Sequence, residues 1–270
     1  MDKLPQKLVE FLKENHELPY RYHKRTLECA MHRRRTLFDK VRVVGLGCLN
    51  ASRQRIDAKE ELTKSLEFIR GYQKISFFEF VEEFPQGIRN KQCELDLNKS
   101  GNENEKKIKE FFNKLVSLRG FKEKTASLFM RDLLEMSGSE LFIDFEYSRY
   151  RPHMLVPLDK VIKQVLENIG FEKNEYSNFK LVNKLAKETF LDARNPLLLE
   201  DLWFWGFYTR SLDKKNKFDF NGPKMYADKY LLAEEFEEVE TKAKEFVGIL
   251  DENKKRLKAN LNGSHWKARL

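Results

Sequence analysis

Two residues in this sequence could make and break bonds to a sugar. Lys124 follows a tight turn in the stretch LRGFKEKTA, and Asp159 closes the stretch VPLD. A neutral lysine amine is a nucleophile toward an electrophilic carbon. A carboxylate can stabilise cationic character as the leaving group departs. Gly120 permits a positive φ or a close backbone approach in the turn, and the first N–H groups of the helix after it can then face a phosphate. Each residue also has a plain alternative. Lys124 is then a surface lysine in the first turn of a helix, and Asp159 an ordinary N-cap.

Other chemistries are poorly served. The three cysteines, Cys29, Cys48 and Cys93, lie far apart, with neither a disulfide framework nor the CxxC spacing of a metal site. The five histidines, His16, His23, His32, His153 and His265, form no ligand pair at helical spacing. No metal or other cofactor is expected. The net charge of +8 suggests a polyanionic partner, because clustered cations displace counterions from a phosphate backbone. Lys and Arg crowd between Arg21 and Arg42, against only Glu28 and Asp39, and the run Arg33-Arg34-Arg35 lies within that stretch.

The elements that must position these groups read as helices. Apolar residues make up 41% of the 270-residue chain and charged residues 35%, while Gly and Pro number only 12 and 7. That balance favours an all-α protein with a sizeable core. Leu4, Leu8, Phe11 and Leu12 mark a first amphipathic helix ending near Asn15, and Pro19 to Arg35 reads as a partly buried helix with a cationic side. The apolar run Leu37 to Leu49 fits either a buried helix or a strand, and we read it as helix. Asn50-Ala51-Ser52 is expected to close it as a turn. Arg53, Gln54 and Arg55 follow, before an amphipathic series at Ile56, Leu62, Leu66 and Ile69. This corner could touch or enter a duplex, or it could be an Asn C-cap followed by solvated charges.

Phe77, Phe78, Phe80, Val81 and Phe84 read as core, stopped at Pro85-Gln86-Gly87. A helix from Glu103 buries Ile108, Phe111, Phe112, Leu115 and Leu118. A second, from Glu123, buries Ala126, Phe129, Met130, Leu133 and Leu134 and ends at Ser137-Gly138. Together they form a helix–hairpin–helix at about 104–137. Ser139 to Met154 reads as a loop excursion. Beyond it are a helix opened by Asp159, a helix around Phe179 to Phe190, and an apolar helix over Asn195 to Gly206. Asn216 to Pro223 reads as a loop, and a long helix follows through Leu232, Phe236, Val239, Ala243, Phe246 and Leu250. The first residues are charged throughout, and no run has the length to span a bilayer.

The stretches LRGFKEKTA and VPLD, in that order and followed by an apolar helix, resemble the helix–hairpin–helix DNA glycosylase superfamily. Its lyase members carry an LPGVGxKxA-like hairpin and a VPVD segment. The resemblance places Lys124 at the family's nucleophile and Asp159 at its catalytic carboxylate. Lys122 stands where the hairpin has a second glycine, which would substitute an ammonium–phosphate contact for the usual hairpin cation. The interval from Lys124 to Asp159 is longer than in human-type 8-oxoguanine glycosylases and is more similar to the archaeal-type 8-oxoguanine branch. In that branch a late Leu-rich helix carries an acidic residue and a tryptophan, here matched by Asp201 or Glu200 with Trp203 as a base pocket.

The resemblance covers roughly residues 37 to 210 and implies a two-subdomain glycosylase fold. One helical subdomain would span 36–154, and the other 1–35 with 155–270. Asn50 would fill the gap left by an extruded base, and Arg53, Arg55, Gly120 and Lys122 would contact DNA. The implied activity is excision of an oxidised purine, 8-oxoguanine, by a bifunctional glycosylase and lyase acting on double-stranded DNA. It needs no cofactor and no membrane, and is expected of a monomer in the cytoplasm at the nucleoid or, in a eukaryote, in the nucleus. A monofunctional alkylbase glycosylase would need the aspartate without the lysine. A non-catalytic duplex-binding protein would need neither.

Overall fold

The structure is a computed structural model that describes residues 3–87, 94–136, 138–143, 145–212, 218–220 and 233–267, with side chains described for most of them. In chain order the helices are α1 (Gln6–Glu14), α2 (Glu17–Met31), α3 (Leu37–Ala51), α4 (Ile56–Ser65), α5 (Phe77–Glu83), α6 (Glu103–Ser117) and α7 (Glu123–Arg131). They continue as α8 (Gly138–Leu141), α9 (Tyr147–Tyr150), α10 (Lys160–Asn168), α11 (Lys173–Tyr176), α12 (Phe179–Thr189), α13 (Asp201–Thr209) and α14 (Ala233–Lys267). Two short antiparallel strands, β1 (Arg210–Leu212) and β2 (Phe218–Phe220), pair Arg210 with Phe220. The fold is thus all-helical apart from this ribbon. Among the described residues no helix is long and apolar enough to cross a membrane.

The chain forms two compact units. One comprises His23–Pro157 with Arg194–Pro196 and holds the hairpin; the other comprises Met1–Tyr22, Leu158–Ala193 and Leu197–Leu270 and holds both termini. The divisions fall inside α2, after Tyr22, and inside VPLD, after Pro157. Lys124 therefore belongs to the hairpin unit and Asp159 to the terminal unit.

The hairpin unit is built around α3, α6 and α7. Val41, Val44 and Leu49 of α3 are essentially inaccessible, so the apolar run is a buried helix, with Thr36 as its N-cap accepting from the Asp39 N–H. Phe77, Phe80, Phe84, Phe111 and Phe142 interlock mostly edge to face; Phe80 lies 5.6 Å from Phe111 and 5.4 Å from Phe142. That geometry sets the positive edge of one ring on the negative face of the next. On α7 the stripe Ala126, Phe129 and Met130 is buried. The chain then continues into a π-helical turn, Asp132–Met136, where Leu133 and Leu134 are also buried.

Two expected loops contain regular structure. Ser139 to Met154 holds most of α8, all of α9 and a 3-10 turn, Arg151–His153, and Phe145 stacks on Tyr150 at 5.1 Å with the rings 4° from parallel. Aromatic packing fixes this segment without any long period. Asn216 to Pro223 includes β2, while residues 216–217 and 221–223 lie outside the described residues, as do Ser137, Cys93 and Leu232. The stretch Asn195 to Gly206 is not one helix. A 3-10 turn over Pro196–Glu200 precedes α13.

In the terminal unit, α13 packs between α10 and α14, and α1 lies against α14. Val161, Ile162, Val165 and Leu166 form the buried stripe of α10. Val239, Ala243, Phe246 and Leu250 do the same for α14. Farther along α14, Asn253 donates to the Ile169 carbonyl at 2.9 Å and Leu257 lies over Gly170, whose φ of +104° ends the turn after α10.

Candidate nucleic-acid interface

The hairpin turn follows from Gly120. The helix α6 stops at Ser117, Leu118 turns extended, and Gly120 takes φ +83° so that the chain reverses into α7. A side chain at Gly120 would meet the Cβ of Ala58 at 2.5 Å and the amide oxygen of Gln54 at 3.3 Å. The turn therefore lies directly on α4 and on the corner that precedes it. Phe121 is fully buried and anchors the turn, with its N–H reaching the Leu118 carbonyl at 3.3 Å. Arg119 adds an ion pair with Asp57 at 2.7 Å, and its N–H donates to Glu61 at 3.0 Å.

Lys122 is the N-cap of α7, and its exposed side chain supplies no capping acceptor. A helix N-terminus without an acceptor from its cap residue favours an anion there. Lys124 is the second residue of α7 and is half-buried. The next residue, Thr125, is buried and donates to Ser52 Oγ at 2.8 Å, tying the start of α7 to the end of α3.

The end of α3 differs from the expected Asn-closed turn. Asn50 sits in the last helical turn and is exposed. The left-handed position falls on Arg53, with φ +53°. The Gln54 N–H then reaches the Leu49 carbonyl and the Arg53 N–H the Asn50 carbonyl, both at 2.9 Å. These are the two crossed bonds of a Schellman termination, with arginine in the place glycine usually takes. Gln54 closes the corner by donating to the Ser52 carbonyl at 3.1 Å. Arg53 and Arg55 are both exposed.

Ile56 corrects the sequence expectation. Leu62, Leu66 and Ile69 are fully buried as their spacing implies, but Ile56, the first residue of α4, is 73% exposed. The hairpin unit thus brings together Asn50, Arg53, Arg55 and Gly120, with Lys122 and Lys124 at the adjoining helix start. Cys48 is no competing nucleophile. It is buried against Asp132 Oδ2 at 3.4 Å, and burial first, then the negative charge of Asp132, pushes its thiol well above the usual range.

The terminal unit holds the remaining candidates. Asp159 caps α10, its Oδ1 accepting from the N–H groups of Val161 at 2.7 Å and Ile162 at 3.0 Å. Asp201 is buried at the start of α13, and its Oδ2 lies 2.8 Å from His16 Nδ1. Glu200 is buried one residue earlier. Trp203 is half-buried and stacks on Phe207, with centroids 5.3 Å apart and rings 11° from parallel, and Tyr22 lies 6.4 Å away. Trp205 is wholly buried, edge-on to Phe11 at 5.1 Å, so of the two tryptophans only Trp203 can present a surface to a ligand. His16 went unread in the sequence. A lone histidine between α1 and α2 carries no local signal for a carboxylate so far along the chain. Among the described residues no group of three or more His, Cys, Asp or Glu side chains is gathered to hold a metal.

No protein-family model matches the chain, and no solved structure matches it. Among curated proteins it is similar to the uncharacterized protein MJECL21 of Methanocaldococcus jannaschii, 27% identical over 140 residues. That alignment takes in 46% of this chain and only 29% of the length of the archaeal protein.

Proposed function

We propose that this chain is a DNA N-glycosylase with lyase activity that excises an oxidised purine, 8-oxoguanine, from duplex DNA. The observation that carries the reading is the placement of Lys124. A half-buried amine stands in the first turn of α7, behind the positive-φ turn at Gly120, in a unit whose exposed corner bears Arg53, Arg55 and Lys122. Cations on a rigid corner suit phosphate contact, and a lysine just inside the helix start suits a sugar held by those phosphates.

The chemistry follows from a damaged base swung out of the stack. The neutral Nζ of Lys124 attacks C1′, the glycosidic bond breaks, and the base leaves with the electron pair and takes up a proton. Opening of the sugar ring gives a C1′ iminium linked to Nζ. Loss of a proton from C2′ then expels the 3′ phosphate and cleaves the strand. Asp159 is assigned the carboxylate that stabilises cationic character at the sugar. Its cap bonds to Val161 and Ile162 favour the ionised form. Asp201 with Trp203 is assigned to the base.

The test is borohydride trapping on a duplex containing 8-oxoguanine, run beside duplexes carrying 3-methyladenine and an oxidised pyrimidine. Wild type should give a covalent adduct with the first substrate, and Lys124→Ala should give none. Equal trapping by the variant would remove the lysine assignment. Base release without any adduct from wild type would favour water as the nucleophile.

A further inference from the structure

We propose that Ile56 is an apolar wedge that enters a base step of the duplex while Arg53 and Arg55 hold the flanking phosphates. The inference rests on the reading that this chain binds duplex DNA, and it assigns a role that the excision chemistry does not require. Ile56 is 73% exposed, and a large aliphatic side chain left in water on a cationic corner is poorly placed for folding alone. Leu191 is as exposed, at 74%, but its neighbour Asp192 is ion-paired with Lys13 at 2.5 Å, so no cationic setting surrounds it. Ile56 follows directly on Arg53, Gln54 and Arg55, and the nearby acid Asp57 is neutralised by Arg119.

The support beneath the residue is stiff. Arg53 holds a left-handed conformation, the crossed bonds from Arg53 and Gln54 fix the end of α3, and Ala58, two residues beyond Ile56, is buried under Gly120. A wedge needs that stiffness, because unstacking a step costs free energy that a floppy side chain would not recover. The cations supply affinity without sequence preference, and the isoleucine supplies a preference for steps that open easily. The expected occupant is therefore a duplex with a weakened step, not a single strand.

The experiment measures binding by fluorescence anisotropy in the Lys124→Ala background, so that no bond is made or broken. Two duplexes are compared, one intact and one carrying a tetrahydrofuran abasic analogue beside 2-aminopurine. The parent should prefer the weakened duplex and raise the 2-aminopurine signal. Ile56→Ala should lose the preference by roughly tenfold or more, Ile56→Met should keep it, and neither should change the slope of affinity against salt. Arg53→Ala with Arg55→Ala should keep the preference and flatten that slope by about two units. Since Ile56 is exposed, thermal melting should show the alanine variant folded like its parent. Retained preference and signal in Ile56→Ala would overturn the proposal, as would failure of the parent to bind duplex. A chain that wedges but forms no Lys124 adduct would keep this inference and lose the excision chemistry.

Discussion

The corner at Arg53–Ile56 and the pair His16–Asp201 reach order by opposite routes. At the corner the backbone is fixed by a left-handed residue, crossed carbonyl bonds and a glycine pressed on Ala58, while the charged side chains stand in water. At the start of α13 the backbone is ordinary, and order comes from a buried carboxylate held by an imidazole 2.8 Å away. The first arrangement leaves cations available to a polyanion. The second spends its polar groups on each other, so a ligand there must compete with an existing partner.

If the corner depends on backbone shape, the largest effect should come from Gly120→Ala. The left-handed φ costs a side chain roughly 1–2 kcal/mol, and the 2.5 Å approach to Ala58 adds overpacking. Chemical denaturation should show a loss of about 3 kcal/mol; an unchanged midpoint would mean that the close approach is easily relaxed. On the other side, His16→Ala strips a partner from buried Asp201 and should cost about 1–3 kcal/mol. Asp201→Asn, which keeps a hydrogen-bonding group, should cost less. If the two cost the same, the pair owes nothing to charge.

Asp159 gives a smaller contrast. Asp159→Ala removes an acceptor of two cap bonds and should cost about 1 kcal/mol, whereas Asp159→Asn should be close to neutral for stability. Loss of excision in a stable Asn variant would then separate chemistry from capping. The smallest expected effect has the opposite sign. Arg53→Gly relieves the left-handed strain and should stabilise by up to about 1 kcal/mol, read from the same denaturation curves, while weakening duplex binding. A corner that loses stability on this change would show that the arginine side chain packs against the protein.

Much of this was legible because it is local. The run Leu37 to Leu49 reads as a helix by length, Asp159 as a cap by position, and the hairpin by Gly120 between two amphipathic stretches. What failed was short or distant. The helices α8 and α9 have four residues each, fewer than a period needs to show, and are held by ring contacts that sequence does not reveal. Ile56 has the spacing of a core residue, but it opens α4 where the helix projects beyond the core, so its period misleads. The His16–Asp201 pair spans most of the chain and leaves no mark at either end.

The π-helical turn at Asp132–Met136 works as slack in a wound thread. An α-helix advances a residue's bearing by a fixed step, so a surplus residue would swing everything after it out of phase. One wider turn absorbs that surplus. Leu133 and Leu134 stay inward, and the thread is handed on to Gly138 with Leu141 and Phe142 already facing the phenylalanine core. The aromatic packing in front of the turn and behind it can therefore be one cluster, although the helix that joins them does not keep a single pitch.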